Sequence, residues 1–151
     1  MVGDPLLTKV DKQHFYMFLR EAVEAFEVAK RIVKERDLES FIRSMEARYA
    51  LRYALVLMVE ALADAITLVL EADHGIAPES YREAMLFAGE LGIVSYEDAL
   101  VLARLASLRN ILVHRYWRVE DDRLYRETRK GLEVVDRVLE ALKKYVETSD
   151  P

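Results

Sequence analysis

The sequence predicts an all-α fold: an antiparallel bundle of about five helices in one domain, residues 1–151. Three observations carry this. Only five glycines and three prolines interrupt the chain. Apolar residues recur at spacings of three and four. No stretch alternates apolar with polar residues long enough to make a strand. A 52% hydrophobic content in 151 residues can bury a core without covalent staples. The absence of cysteine removes disulfides, thiolate metal sites and a thiol nucleophile, and fits a cytosolic protein.

The first helix is expected from about Lys9 to Arg36, burying Phe15, Phe18, Leu19, Val23, Phe26, Ile32 and Val33. Asp37 offers an N-cap for a second, very long helix from about Leu38 to Ala72. Its repeating positions are Phe41, Ile42, Met45, Tyr49, Tyr53, Val56, Leu57, Glu60, Leu62 and Ile66. At 1.5 Å per residue such a helix spans roughly 50 Å, so it must bend or offer a face to a second subunit. Asp73-His74-Gly75 stops it, and Ala77-Pro78-Glu79 opens a short third helix with proline at its first position, ending near Leu91-Gly92. Ser95 to Asp98 reads as a capping box with Asp as its third-position variant. It starts a fourth helix carrying Leu100, Leu102, Leu105, Leu108, Ile111 and Leu112. After the turn at Glu120-Asp121-Asp122, a last helix from about Arg123 to Val146 buries Leu124, Leu132, Val135, Val138, Leu139 and Leu142. The termini are expected to be flexible.

One Asn, one Gln and no Cys stand against 22 basic and 27 acidic residues, a balance met in heat-adapted proteins and pointing to a thermophilic prokaryotic source. A net charge of -5 argues against indiscriminate nucleic-acid binding, which depends on neutralising many phosphates. Between Asp98 and Glu120, however, the charged side chains are Arg104, Arg109, Arg115 and Arg118, with His114 among them. The first ten residues lack the basic start, apolar run and cleavage site of a signal peptide. The longest apolar run, around Tyr53 to Val59, is too short to cross a bilayer, so no membrane association is expected.

That basic segment contains Arg109-Asn110-Ile111-Leu112-Val113-His114-Arg115-Tyr116 and the sole asparagine of the chain. A cation, an imidazole and a phenol suit metal-free RNA cleavage, in which a 2′-hydroxyl attacks the neighbouring phosphorus. An imidazole, with an unperturbed pKa of ~6.5, exchanges protons near neutrality. A guanidinium fork stabilises phosphoryl charge in a way lysine does not copy. Asn110 can fix the imidazole or hold substrate, and Tyr116 can donate a hydrogen bond or stack on a base. Arg109 and His114, five residues apart on a helix, point about 140° from one another. Either the helix unwinds near His114, or two copies meet and complete each other's site. The bland reading is that Arg109 pairs with a carboxylate such as Glu60 while His114 and Tyr116 cap and pack.

These residues resemble the HEPN superfamily, specifically its HepT-like toxin branch. The resemblance rests on Arg48-Tyr49-Ala50-Leu51 leading to Glu60-Ala61-Leu62, on Pro78-Glu79-Ser80-Tyr81-Arg82, and on Leu108 through Trp117 with its Arg-x-x-x-x-His-x-Tyr pattern. It departs from that pattern at Arg115, where relatives commonly carry glycine, leaving the local turn geometry open. The resemblance implies a homodimeric, metal-free ribonuclease toxin with Arg109 and His114 as the catalytic pair, and Asn110 and Tyr116 as accessory residues. It also implies a minimal nucleotidyltransferase antitoxin that can transfer AMP to Tyr116. Arg104, Arg115 and Arg118 are the expected RNA contacts. The alternative is a noncatalytic HEPN module that binds a nucleotidyltransferase or a nucleotide.

No cofactor is expected. Glu60 and Asp64, one turn apart, could hold a divalent cation or lean on Arg109, but lack a third ligand in sequence. His14 reads as a surface residue, Asp73-His74 as a helix stop, and Tyr125 and Tyr145 as packing residues. The Lys30, Arg31, Lys34, Arg36 cluster suits RNA, a partner or a solvated helix end. Without a glycine-rich phosphate loop, the chain is not expected to be the nucleotidyltransferase itself.

Overall fold

The computed structural model describes residues 7–148. The flexible ends expected at the termini fall outside them. Six helices and one 3₁₀ turn make up this part of the chain: α1 (Lys9–Glu35), α2 (Leu38–Arg43), α3 (Met45–His74), α4 (Tyr81–Glu90), α5 (Tyr96–His114), the 3₁₀ turn Tyr116–Arg118 and α6 (Asp121–Thr148). The expected all-α bundle is therefore present, with one helix more than the periodicity suggested.

The extra helix arises because the long second helix divides at Ser44. That residue adopts an extended conformation, and its side chain accepts a hydrogen bond from Ala47 N. The freed carbonyl of Ile42 takes a 2.6 Å bond from Arg48 Nη1. Below the break, the buried stripe of α3 is Leu51, Ala54, Leu55, Met58, Leu62 and Ile66. The expected core positions Ile42, Met45, Tyr49 and Tyr53 instead lie on the exposed side. Val23 and Leu100, also expected in the core, are exposed as well. Spacings of three and four fit more than one face of a long apolar helix, and packing decided between them.

α4 begins three residues later than Pro78 suggested. Ser80 is its N-cap, accepting from Glu83 N, while Glu79 N donates to Glu83 Oε1. Ser95 caps α5 through Asp98 N as expected, but the Asp98 carboxylate is engaged by Arg137 of α6 in two bonds of 2.9 and 3.1 Å. These bonds hold the Asp98 carboxyl below its ordinary value. Gly75 ends α3 in the left-handed conformation, φ 63°, which costs glycine little.

α3 lies at the centre, against α1, α4, α5 and α6. Its length and apolar composition would let it cross a membrane, a longer apolar window than the run around Tyr53 to Val59, but 61% of that window is buried inside the bundle. Core packing thus accounts for its hydrophobicity. Arg52 ties α3 to the first residue of α6 through a bidentate pair with Asp121, 2.9 and 2.7 Å. Tyr125 reaches from α6 to the end of α1, donating to the carbonyls of Val33 and Arg36. Tyr145 donates to Asp73 Oδ2 at the far end of α3. Both tyrosines pack as expected, each with its hydroxyl satisfied.

α4 and α5 approach closely at Gly89, where an added Cβ would lie 2.5 Å from Ala99 Cβ. Ala99 is fully buried and cannot swing aside. Gly89→Ala should therefore destabilise the protein by about 1–3 kcal/mol despite the better helix propensity of alanine. Urea denaturation reads this directly, and an unchanged midpoint would mean that α4 withdraws from α5 without cost.

Candidate active site

α5 runs as unbroken helix through His114, and Arg115 ends it at φ -139°, ψ 46°, with its N–H bonded to Ile111 O. Of the two ways considered for reconciling Arg109 with His114, local unwinding is thus not the one adopted. Arg115 has a negative φ, so the turn makes no demand for glycine there. The departure at this position is accommodated without strain.

Arg109 is held on three sides. Its Nε and Nη2 donate to Glu60 Oε2 of α3 at 3.0 and 2.6 Å, and its Nη1 donates to Asn110 Oδ1 at 3.1 Å. Its guanidinium lies 4.6 Å from the centre of the Tyr81 ring, at the start of α4. The pairing with Glu60 considered in the bland reading is real, but it occupies one edge of the fork. A guanidinium carries five N–H groups, so the three bonds to Glu60 and Asn110 leave two free. Asn110 serves the arginine, not His114, because a charged donor makes the stronger bond.

Arg109, Asn110, His114 and Arg115 line an open cleft of about 740 Å³, together with Asp64, Thr67, Tyr81 and the Pro78–Ser80 segment. The side chain of His114 is exposed, and its imidazole makes no hydrogen bond among the described residues. Tyr116 begins the 3₁₀ turn beyond it and is 65% exposed, with no hydrogen-bond partner for its hydroxyl among the described residues. Arg118 is exposed on the same turn, and Arg104 is exposed on α5. Neither lines the cleft. Sequence reasoning gave Tyr81 no role, since a contact between residues 28 apart leaves no periodic signature.

Asp64 sits one turn beyond Glu60. Burial pushes its carboxyl above the ordinary 3.8, and the charge of Glu60 adds to the effect. Burial, with Glu60 and Asp64 behind it, likewise pushes the Tyr81 phenol above 10.0 against the opposing pull of Arg109. Glu60 is committed to Arg109, and among the described residues no group of three or more His, Asp or Glu side chains could hold a metal ion.

A helical bundle that brings Arg109, Asn110 and His114 to one cleft, with Tyr116 on the turn beyond, has the organisation of a HEPN domain. The sequence matches the ribonuclease HepT-like family over residues 22–142, and the chain belongs to that family. A search of curated proteins gave no significant match. Among solved structures, a tri-AMPylated HEPN toxin from Shewanella oneidensis, in complex with its MNT antitoxin, is similar with a TM-score of 0.77 and 16% identity over 87% of this chain and 97% of that one. The cytosolic protein YutE of Bacillus subtilis, of unknown function, gives 0.75 and 20% over 87% and 90%. A toxin–antitoxin structure with AMP-PNP gives 0.70 and 16% over 83% and 97%. At these identities the likeness establishes the fold.

The raised pKa of Asp64 has a consequence for stability. Its folded-state value lies above the unfolded one, so its contribution is present below 3.8 and lost as pH rises through the folded value. At pH 7 the ionised carboxylate is therefore a cost. Asp64→Asn should raise Tm at pH 7, and the gain should vanish below the ordinary carboxylate range. A lower Tm at pH 7 would show that ionised Asp64 makes a net favourable contact.

Proposed function

We propose that this chain is a metal-independent endoribonuclease toxin, working in the cytosol as a homodimer and neutralised by a minimal nucleotidyltransferase antitoxin. The observation that carries the reading is the fork of Arg109, which lines the cleft, anchored by Glu60 and Asn110 through three of its five N–H groups with two left to spare. A phosphodiester oxygen is the ligand such a fork suits best.

In the proposed reaction the 2′-oxygen of a ribose attacks the adjacent phosphorus, its proton passes to one His114 imidazole, and the P–O5′ bond breaks. A protonated imidazole supplies the proton to O5′, leaving a 2′,3′-cyclic phosphate and a 5′-hydroxyl. Arg109 holds the phosphoryl oxygens as charge grows on them. One imidazole cannot be acid and base in the same step, whereas two copies of His114 across a symmetry axis can. The exposed stripe Met45, Tyr49 and Tyr53 on α3, 51%, 56% and 65% exposed, supports a self-complementary contact between copies.

Tyr116 supports control by modification. Its open hydroxyl can attack the α-phosphorus of ATP held by the antitoxin, forming a phenol–phosphate bond as pyrophosphate leaves. The added negative charge beside Arg115 and His114 would then compete with RNA for the site. Arg104, Arg115 and Arg118 are the proposed backbone contacts, and RNA the proposed substrate.

Purified protein in EDTA should cut cellular RNA into discrete fragments, while His114→Ala and Arg109→Lys should each lose about a hundredfold or more of the activity. Lysine keeps a cation opposite Glu60, so its loss of activity reports the fork and not the fold. Activity destroyed by EDTA would overturn metal independence. Absence of cleavage by protein whose intact mass shows unmodified Tyr116 would favour the noncatalytic, nucleotidyltransferase-binding module.

A further inference from the structure

The segment Arg115-Tyr116-Trp117-Arg118 presents four consecutive exposed side chains directly after α5. Trp117, the only tryptophan of the chain, is 69% exposed, the largest value among the exposed large hydrophobic residues. Such an indole forgoes hydrophobic stabilisation unless something covers it. The turn that carries it is hydrogen-bonded: Arg118 N donates to Arg115 O at 2.7 Å and Val119 N to Tyr116 O at 3.3 Å. The Tyr116 and Trp117 rings meet edge to face, centroids 5.4 Å apart and planes at 85°. A perpendicular contact covers at most one face of one ring, so at least one face of the indole stays open.

The charges around the ring name the occupant. Arg115 and Arg118 stand at the two ends of the turn, and neither has an ion-pair partner among the described residues. Two unpaired arginines flanking two aromatic rings, in a chain of net charge -5, form a locally cationic, aromatic surface. Single-stranded nucleic acid offers the complement, phosphates for the cations and a base for the ring. Arg115 also lines the cleft with Arg109 and His114, which makes this turn the rim of that cleft.

We propose that Trp117 is a nucleobase-stacking platform, bracketed by Arg115 and Arg118 as phosphate contacts, that holds an unpaired base of the RNA next to the scissile phosphate. It rests on the ribonuclease reading of the cleft. Because every base has a π-face, the platform sets the position of the strand and prefers single-stranded over paired RNA, without reading a sequence.

The test uses the emission of Trp117, which no other tryptophan obscures. A fully 2′-O-methylated hexanucleotide cannot be cleaved by its own 2′-oxygen and is titrated into the intact protein in EDTA. Its binding should quench Trp117 and shield it from acrylamide. By anisotropy of a labelled strand, Trp117→Ala should bind about 5- to 150-fold more weakly and Trp117→Phe within a few-fold of wild type. Strand binding with unchanged emission and unchanged affinity of Trp117→Ala would overturn the platform, as would no binding at all. Acrylamide shielding of Trp117 before any RNA is added would also overturn it, placing the indole in a contact between copies. Quenching by the methylated strand, with no cleavage of the 2′-hydroxyl strand, would leave the platform standing and overturn the ribonuclease reading instead.

Discussion

The ion pair between Glu60 and Arg109 fixes the one cation of the cleft that is largely buried, its side chain 13% exposed. A long arginine left to itself samples many rotamers and loses entropy when it binds. Here that entropy is lost on folding: Glu60 takes one edge, Asn110 part of another, and Tyr81 lies against the face. The same interaction joins three helices, since Glu60 is on α3, Arg109 on α5 and Tyr81 opens α4. The close approach of α4 to α5 at Gly89 keeps the tyrosine within reach.

The cleft carries opposing charges, and their placement decides what it can bind. Glu60 partly neutralises Arg109, and Asp64 behind it is destabilised in its ionised form by burial and by that same glutamate. The negative side of the site thus lies on α3, while Arg115 and the turn beyond supply the positive side at the rim. In the proposed complex a phosphodiester enters from the rim and takes the N–H groups of Arg109 that Glu60 and Asn110 leave unpaired. Buried ion pairs add little net stability over an apolar packing of the same shape, which suits the view that this one is there to position a functional group.

Much of this was legible in the sequence. The periodicity, caps and stop signals located α1, α4, α5 and α6 to within a few residues, because caps and left-handed glycines act locally. The break at Ser44 was hidden: one serine in a continuous apolar pattern does not announce an N-cap, and its effect depends on Arg48 reaching back to Ile42. The outward facing of Tyr49 and Tyr53 was equally hidden, since α3 is apolar on several faces and only its neighbours choose the buried one. Arg109, Asn110 and His114 were found from their chemistry and from the family resemblance, and the pairing of Arg109 with Glu60 was foreseen. The ring of Tyr81 beneath the guanidinium was not, because it arises from the packing of two helices. The path of the chain at Arg115 also needed the structure, which gives that residue a negative φ with no need of glycine.

What the proposed reaction imposes is that one imidazole takes the proton of the 2′-hydroxyl while another supplies a proton to O5′, so the account needs the His114 of both protomers at one site. Mixing wild-type protein with an equal amount of His114→Ala tests this directly once the subunits have exchanged. Half the dimers are then mixed and a quarter are wild type. If both imidazoles are needed, RNA cleavage should fall to about half that of the same amount of wild-type protein left unmixed. Cleavage that the exchange leaves unchanged would show that each protomer works by itself and would contradict the account.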